Sequence, residues 1–120
     1  MVVLRRLTKQ LMCGTCGDMI GEAVYRPWLA SLVITAAQGG YRIQPTAAAL
    51  QLQLAEQAAA AAAPGGPQRR ELERRAEFIA RHVSEVIYGF SCPRGHRILM
   101  TEPQVIAAMR HTAGSWVTLS

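Results

Sequence analysis

The sequence predicts an α+β fold, and three observations carry that prediction. Two short turns, Cys13-Gly14-Thr15-Cys16-Gly17 and Cys92-Pro93-Arg94-Gly95-His96, each lie between stretches with the β-branched and aromatic residues of strands. The middle of the chain is instead rich in Ala, Leu, Gln and Glu, all good helix formers, and is broken by Pro64-Gly65-Gly66-Pro67 before a second, charged periodic stretch. Near the end, Glu102-Pro103 opens a shorter helical pattern that gives way to an apolar terminal run. The expected architecture is one domain over 1–120. Two cysteine-bearing hairpins (7–25 and 86–101) enclose an inserted strand pair and an α-helical hairpin (46–83), followed by a C-terminal helix and strand (102–120).

Taken in order, residues 3–12 read as a strand entering the first cysteine pair, and Met19 to Tyr25 as its return. Pro27 breaks that strand. Leu29 to Ile34 is a second strand, Gln38-Gly39-Gly40 a turn, and Tyr41-Arg42-Ile43-Gln44 alternates as a half-buried strand does. Thr46 is the expected N-cap of a helix over Ala47–Ala63, with Leu50, Leu54, Gln57 and Ala61 on one face. The alternation Leu50-Gln51-Leu52-Gln53-Leu54 fits a strand equally well, so residues 47–56 stay open between the two. Gln68 to His82 forms a second helix with the apolar stripe Leu72, Ala76, Ile79 and Val83 and opposite charges three and four apart. Val86 to Ser91 delivers Cys92, Arg97 to Met100 returns, and Val105, Ile106 and Met109 form the inner face of the last helix before the strand Trp116 to Leu119.

Composition narrows the function classes. Half of the residues are hydrophobic, but only seven are aromatic, a thin core that favours a metal or disulfide staple. Three cysteines cannot pair evenly, which argues against a secreted disulfide framework. The apolar run Trp28 to Ile34 is too short to span a bilayer, and no signal-like run follows Arg5, Arg6 and Lys9, so no membrane association and a cytoplasmic location are expected. The formal charge of +5, carried by twelve arginines and one lysine, suits nucleic acid or an acidic protein partner, and equally a plain solubilising surface.

The chemistry resides in the two turns. Cys13, Cys16, Cys92 and His96 make three thiols and one imidazole, a complete tetrahedral ligand set for one structural Zn2+. The glycines of the first turn permit the positive φ that lets backbone amides face sulfur. His82, on the charged helix, reads as solvated. His111 reads as a helix C-terminal dipole partner, with a minor alternative in which it replaces His96 as ligand. A lone Cys-x2-Cys can also be a redox pair, but such pairs favour a helix N-terminus, and Gly17 to Ile20 reads as strand. Only eight carboxylates are present, with no hydrolase zinc motif, phosphate loop or nucleophile elbow, so no catalytic residues and no enzymatic activity are expected.

Two cysteine hairpins facing each other across an ion resemble a zinc ribbon, on Cys13, Cys16, Gly17, Cys92, Gly95 and His96. The 75 residues between Cys16 and Cys92 exceed the spacing in compact ribbons and imply an insertion. Cys92-Pro-x-Gly-His96 together with Trp116-Val117-x-Leu119 is also similar to small zinc-ribbon proteins of actinobacteria and their phages, a likeness that implies no activity. The expected role is a small non-enzymatic zinc module binding nucleic acid through Arg5, Arg6, Lys9, Arg94 and Arg97, which facing turns would gather at one end. The alternatives are a protein-interaction or assembly subunit of a larger bacterial or phage complex, homo-oligomers included, with Trp28, Leu29, Leu52 and Phe78 as exposed apolar positions, and a thiol redox protein.

Overall fold

The computed structural model describes residues 5–36 and 40–119 and is α+β. In chain order it contains β1 (Leu7–Cys13), β2 (Met19–Arg26), a short 3-10 turn (Pro27–Leu29), β3 (Ser31–Ala36), β4 (Tyr41–Ile43), α1 (Pro45–Ala61), α2 (Pro67–Arg81), β5 (Ile87–Ser91), β6 (Arg97–Thr101), α3 (Glu102–Arg110) and β7 (Trp116–Leu119). Two sheets form, one ordered β3-β2-β1-β7 and one ordered β4-β5-β6. The expected turn at Gln38-Gly39 lies outside the described residues. The chain divides into two compact units, one holding residues up to Tyr41 and from Tyr88 onward, the other Arg42–Ile87.

The first unit is built on alternation. β1 pairs antiparallel with β2 (Leu7↔Tyr25, Leu11↔Gly21), β2 with β3 (Ala23↔Ile34, Tyr25↔Leu32), and β7 adds in parallel beside β1 (Leu11↔Val117, Cys13↔Leu119). This register puts Leu11, Ala23, Tyr25, Leu32, Val117 and Leu119 on one face, and all are buried. α3 packs on β1, β6 and β7, contributing the buried Val105 and Met109. Its start is fixed by a capping box. The Thr101 hydroxyl accepts from the Gln104 backbone N–H at 3.3 Å, and the Thr101 N–H donates to the Gln104 side-chain oxygen at 2.9 Å.

β3 and β4 are not a pair. β3 extends the first sheet, and β4 joins β5 in the second. Their pattern gives each the character of a strand, but a strand's partner depends on where distant segments fall, which local alternation does not encode.

The second unit is the helical pair. Residues 47–56 are helix, and Pro45 occupies the first turn after Gln44, so Gln44 rather than Thr46 is the N-cap. The face that α1 buries is lined by alanine and is not the one carrying Leu50 and Leu54. Leu50 and Leu54 are 57% and 49% exposed, while Ala48 and Ala59 are buried and Leu52 and Ala55 partly so. Alanines let two helices approach closely, and α1 and α2 make the main contact of this unit. On α2, Ala76 and Ile79 are buried as expected, Leu72 is half-buried, and Val83 lies beyond the helix end and is exposed. Arg69–Glu73, Arg75–Glu71 and Arg81–Glu77 form i,i+4 ion pairs along its solvent side.

Candidate metal centre

The four expected ligands come together. Cys13 closes β1, Cys16 lies in the turn to β2, Cys92 follows β5, and His96 precedes β6. Their ligand atoms all lie within 4.8 Å of one another, and among the described residues no other group of His, Cys, Asp or Glu is gathered in this way. Cys16 Sγ is 3.7 Å from Cys92 Sγ, and Cys13 Sγ is 3.7 Å from His96 Nδ1. Bonds of roughly 2.3 Å to sulfur and 2.0–2.1 Å to nitrogen give tetrahedral edges of roughly 3.5–3.8 Å. Those two pairs therefore already stand at metal-bridged separations, and Cys92 Sγ to His96 Nδ1, at 3.1 Å, needs a small outward shift. All three cysteines are free thiols. These residues can hold a metal ion.

The two turns reach this geometry by the same backbone device. In the first, Gly17 N–H donates to Cys13 C=O at 2.8 Å and Cys13 N–H to Asp18 C=O at 2.8 Å. In the second, Gly95 N–H donates to Cys92 C=O and Cys92 N–H to His96 C=O, both at 3.0 Å. Gly17 (φ +77°) and Gly95 (φ +87°) occupy the left-handed region, and a Cβ at either would meet nothing within 4 Å, so the requirement is conformational rather than steric. β7 braces the first turn through Gly14 N–H donating to Leu119 C=O at 2.6 Å.

The turn amides set the thiol chemistry. Backbone N–H groups of Cys16 and Thr15 draw the Cys13 thiol down to about 6. At Cys16 the Asp18 N–H pulls the same way. Burial and the hydrogen bonds its thiol shares with Cys13, Cys92 and Asp18 outweigh it, pushing Cys16 up to about 11. Without metal the cluster thus holds one stabilised thiolate and at least one thiol that keeps its proton at neutral pH.

Asp18 is one of the carboxylates closest in sequence to a ligand pair, but its role in joining the two turns is not readable there. Its Oδ2 accepts from Cys16 Sγ at 3.4 Å and lies 3.5 Å from Arg94 Nε, so it ties the first turn to the second. A carboxylate one residue past a Cys-x2-Cys-Gly turn was the available signal, but its partner is 76 positions away.

The expected basic cluster does not assemble. Arg94 and Arg97 stand at the metal turns, Arg94 paired with Asp18 and Arg97 opening β6. Arg5 and Arg6 precede β1, whose other end carries Cys13, and a strand advances roughly 3.3 Å per residue, so they lie at the far end of the sheet. Lys9 is committed internally, its Nζ donating to the carbonyls of Thr112 (2.9 Å) and Gly114. His82 is not simply solvated. Its Nδ1 lies 2.9 Å from Glu85 Oε2, and its ring packs on Phe78 with centroids 4.7 Å apart. His111 caps α3 outside the cluster. No helix among the described residues is long and apolar enough to cross a membrane. Comparison with protein-family models, curated proteins and solved structures gives no match.

Proposed function

We propose that this chain is a non-enzymatic zinc protein of the zinc-ribbon type, in which one structural Zn2+ clamps two hairpins and the clamped unit binds nucleic acid. The observation that supports it most is the convergence of Cys13, Cys16, Cys92 and His96 from hairpins in two different sheets. Thiolates and a neutral imidazole in a tetrahedron are zinc's preferred set, and four protein ligands leave no open position for a reactive water. The nucleic-acid half rests on the arginine-borne positive charge. Purified protein should carry one zinc per chain, with three sulfur and one nitrogen neighbours by X-ray absorption, and should bind oligonucleotides with strong salt dependence. Loss of zinc in His111→Ala with retention in His96→Ala would contradict the ligand set.

A second reading has its own observation. Leu50 and Leu54, one turn apart on α1, are about half exposed and form an apolar stripe. That stripe suits a protein partner or a second copy of the chain. Sedimentation showing a dimer that Leu54→Glu dissolves would favour it.

A further inference from the structure

We propose that the outward face of the four-stranded sheet is a single-stranded nucleic-acid platform, with Trp116 and Trp28 as stacking surfaces and Arg6 and Arg26 as phosphate contacts. This deepens the nucleic-acid reading above, rests on it, and moves the binding site away from the metal turns.

The sheet has one buried and one open face. On the open face the register aligns Trp116, Gln10, Glu22 and Thr35 in one row across β7, β1, β2 and β3, and Thr8, Val24 and Val33 in the next. Trp116 is 61% exposed and Val33 51%, and the polar members of both rows are exposed. Tryptophan is costly to leave in water, and an exposed one on a sheet with its neighbours polar is where a base can stack. Two residues further along β2 stands Arg26, paired with Ser31 on β3. One step beyond the pair Leu7↔Tyr25 brings Arg6 alongside it. The 3-10 turn then presents Trp28, 50% exposed, held by Ala30 in the left-handed region (φ 47°), a conformation a non-glycine residue adopts at a cost.

Charge complementarity identifies the occupant. No acidic residue occurs within 5–9 or 25–33, and among the described residues Arg5, Arg6 and Arg26 form no ion pair, whereas Arg94 is already paired. Glu22 is the one carboxylate in the two rows. From the Trp116 row to Arg26 is four residues along the strands and two strands across, roughly 16 Å at roughly 3.3 Å per residue and 4.8 Å per strand. An exposed indole and a pair of guanidinium groups separated by that distance, with polar residues between, suit a stacked base and the phosphates of an extended strand. An anionic membrane would instead favour one continuous apolar tip.

The test is binding of a labelled oligothymidylate of about 12 nucleotides, within the footprint such surfaces cover, to the zinc-loaded chain. Each variant is checked for zinc content and circular dichroism. Trp116→Ala should weaken binding roughly 5- to 100-fold, and Trp116→Phe should restore most of it. Arg26→Gln should flatten the salt dependence by about 0.7 in log–log slope, while Arg94→Gln changes affinity less than about twofold. If the tryptophan variants bind normally and Arg94→Gln or Arg97→Gln abolishes binding, the platform is wrong and the nucleic-acid reading stands. If the wild type binds no oligonucleotide, or binds only phosphatidylserine vesicles, both are overturned.

Discussion

The two ends of the four-stranded sheet are built on opposite electrostatic terms. At the metal end the reactive groups partner one another: three thiols and an imidazole face one another, Asp18 accepts from Cys16, and Arg94 sits against Asp18. At the other end Arg5, Arg6 and Arg26 form no ion pair among the described residues, and two large apolar side chains, Trp28 and Leu29, stand in solvent. A site whose groups satisfy one another holds a fold together. One whose groups are left unsatisfied has interactions to offer a partner. Under the proposals above, the cysteine turns hold the fold and the opposite end recognises a partner.

The largest effect that can break this assignment is loss of the ion. Structural zinc contributes on the order of 10–16 kcal/mol of apparent binding free energy at neutral pH in small zinc modules, as much as the whole net stability of a typical domain. Cys92→Ser, or a strong chelator, should therefore abolish zinc binding and collapse the strand signal in circular dichroism. A folded, zinc-free protein would show that the turns are held by the sheets alone.

Next in size is pH. Metal ligands must be deprotonated, and Cys16, pushed up to about 11, still carries its proton at neutral pH, whereas Cys13, held down at about 6, does not. Zinc uptake near pH 7 should release protons, apparent affinity should rise with pH above neutrality, and it should fall further once Cys13 also protonates below about 6. Isothermal titration in buffers of different ionisation enthalpy measures the proton count. Uptake with no proton release would contradict the thiol assignments.

Smaller effects sharpen the comparison. Gly95→Ala places a side chain at φ +87° with no steric clash, so it should cost about 1–2 kcal/mol, seen as a lower melting temperature with zinc retained. Thr101→Ala removes the N-cap of α3 and should cost about 1 kcal/mol by denaturant melt. Neither should change oligonucleotide affinity, because neither residue is on the open face.

The metal set was legible in the sequence because ligand chemistry is local. Two thiols at Cys-x2-Cys, and a thiol and imidazole at Cys-x3-His, announce themselves without knowledge of the fold. Strand and helix identity was legible for the same reason, from the alternation at Tyr41–Gln44 to the stripe through Ala76 and Ile79, except over residues 47–56, where alternating leucines fit either. Pairing was not. That β3 continues the first sheet while β4 joins β5 is decided by contacts between segments distant in sequence. Which face α1 buries is not decided by its own sequence, because leucine and alanine surround that helix, and close approach selects Ala48 and Ala59 over the bulkier Leu50 and Leu54. The basic residues near Cys13 were grouped by sequence distance. An extended strand carries Arg5 and Arg6 away from the cysteine turns, and Lys9 is spent on two carbonyls.

X-ray absorption at the zinc edge on the purified chain, read together with its circular dichroism before and after chelation, decides whether a structural zinc holds the two hairpins. One zinc per chain is expected, with three sulfur and one nitrogen neighbours, and the strand signal should be lost when it is removed. A coordination shell containing water or fewer than three sulfurs, or a zinc that leaves without disturbing the fold, would contradict that structural role.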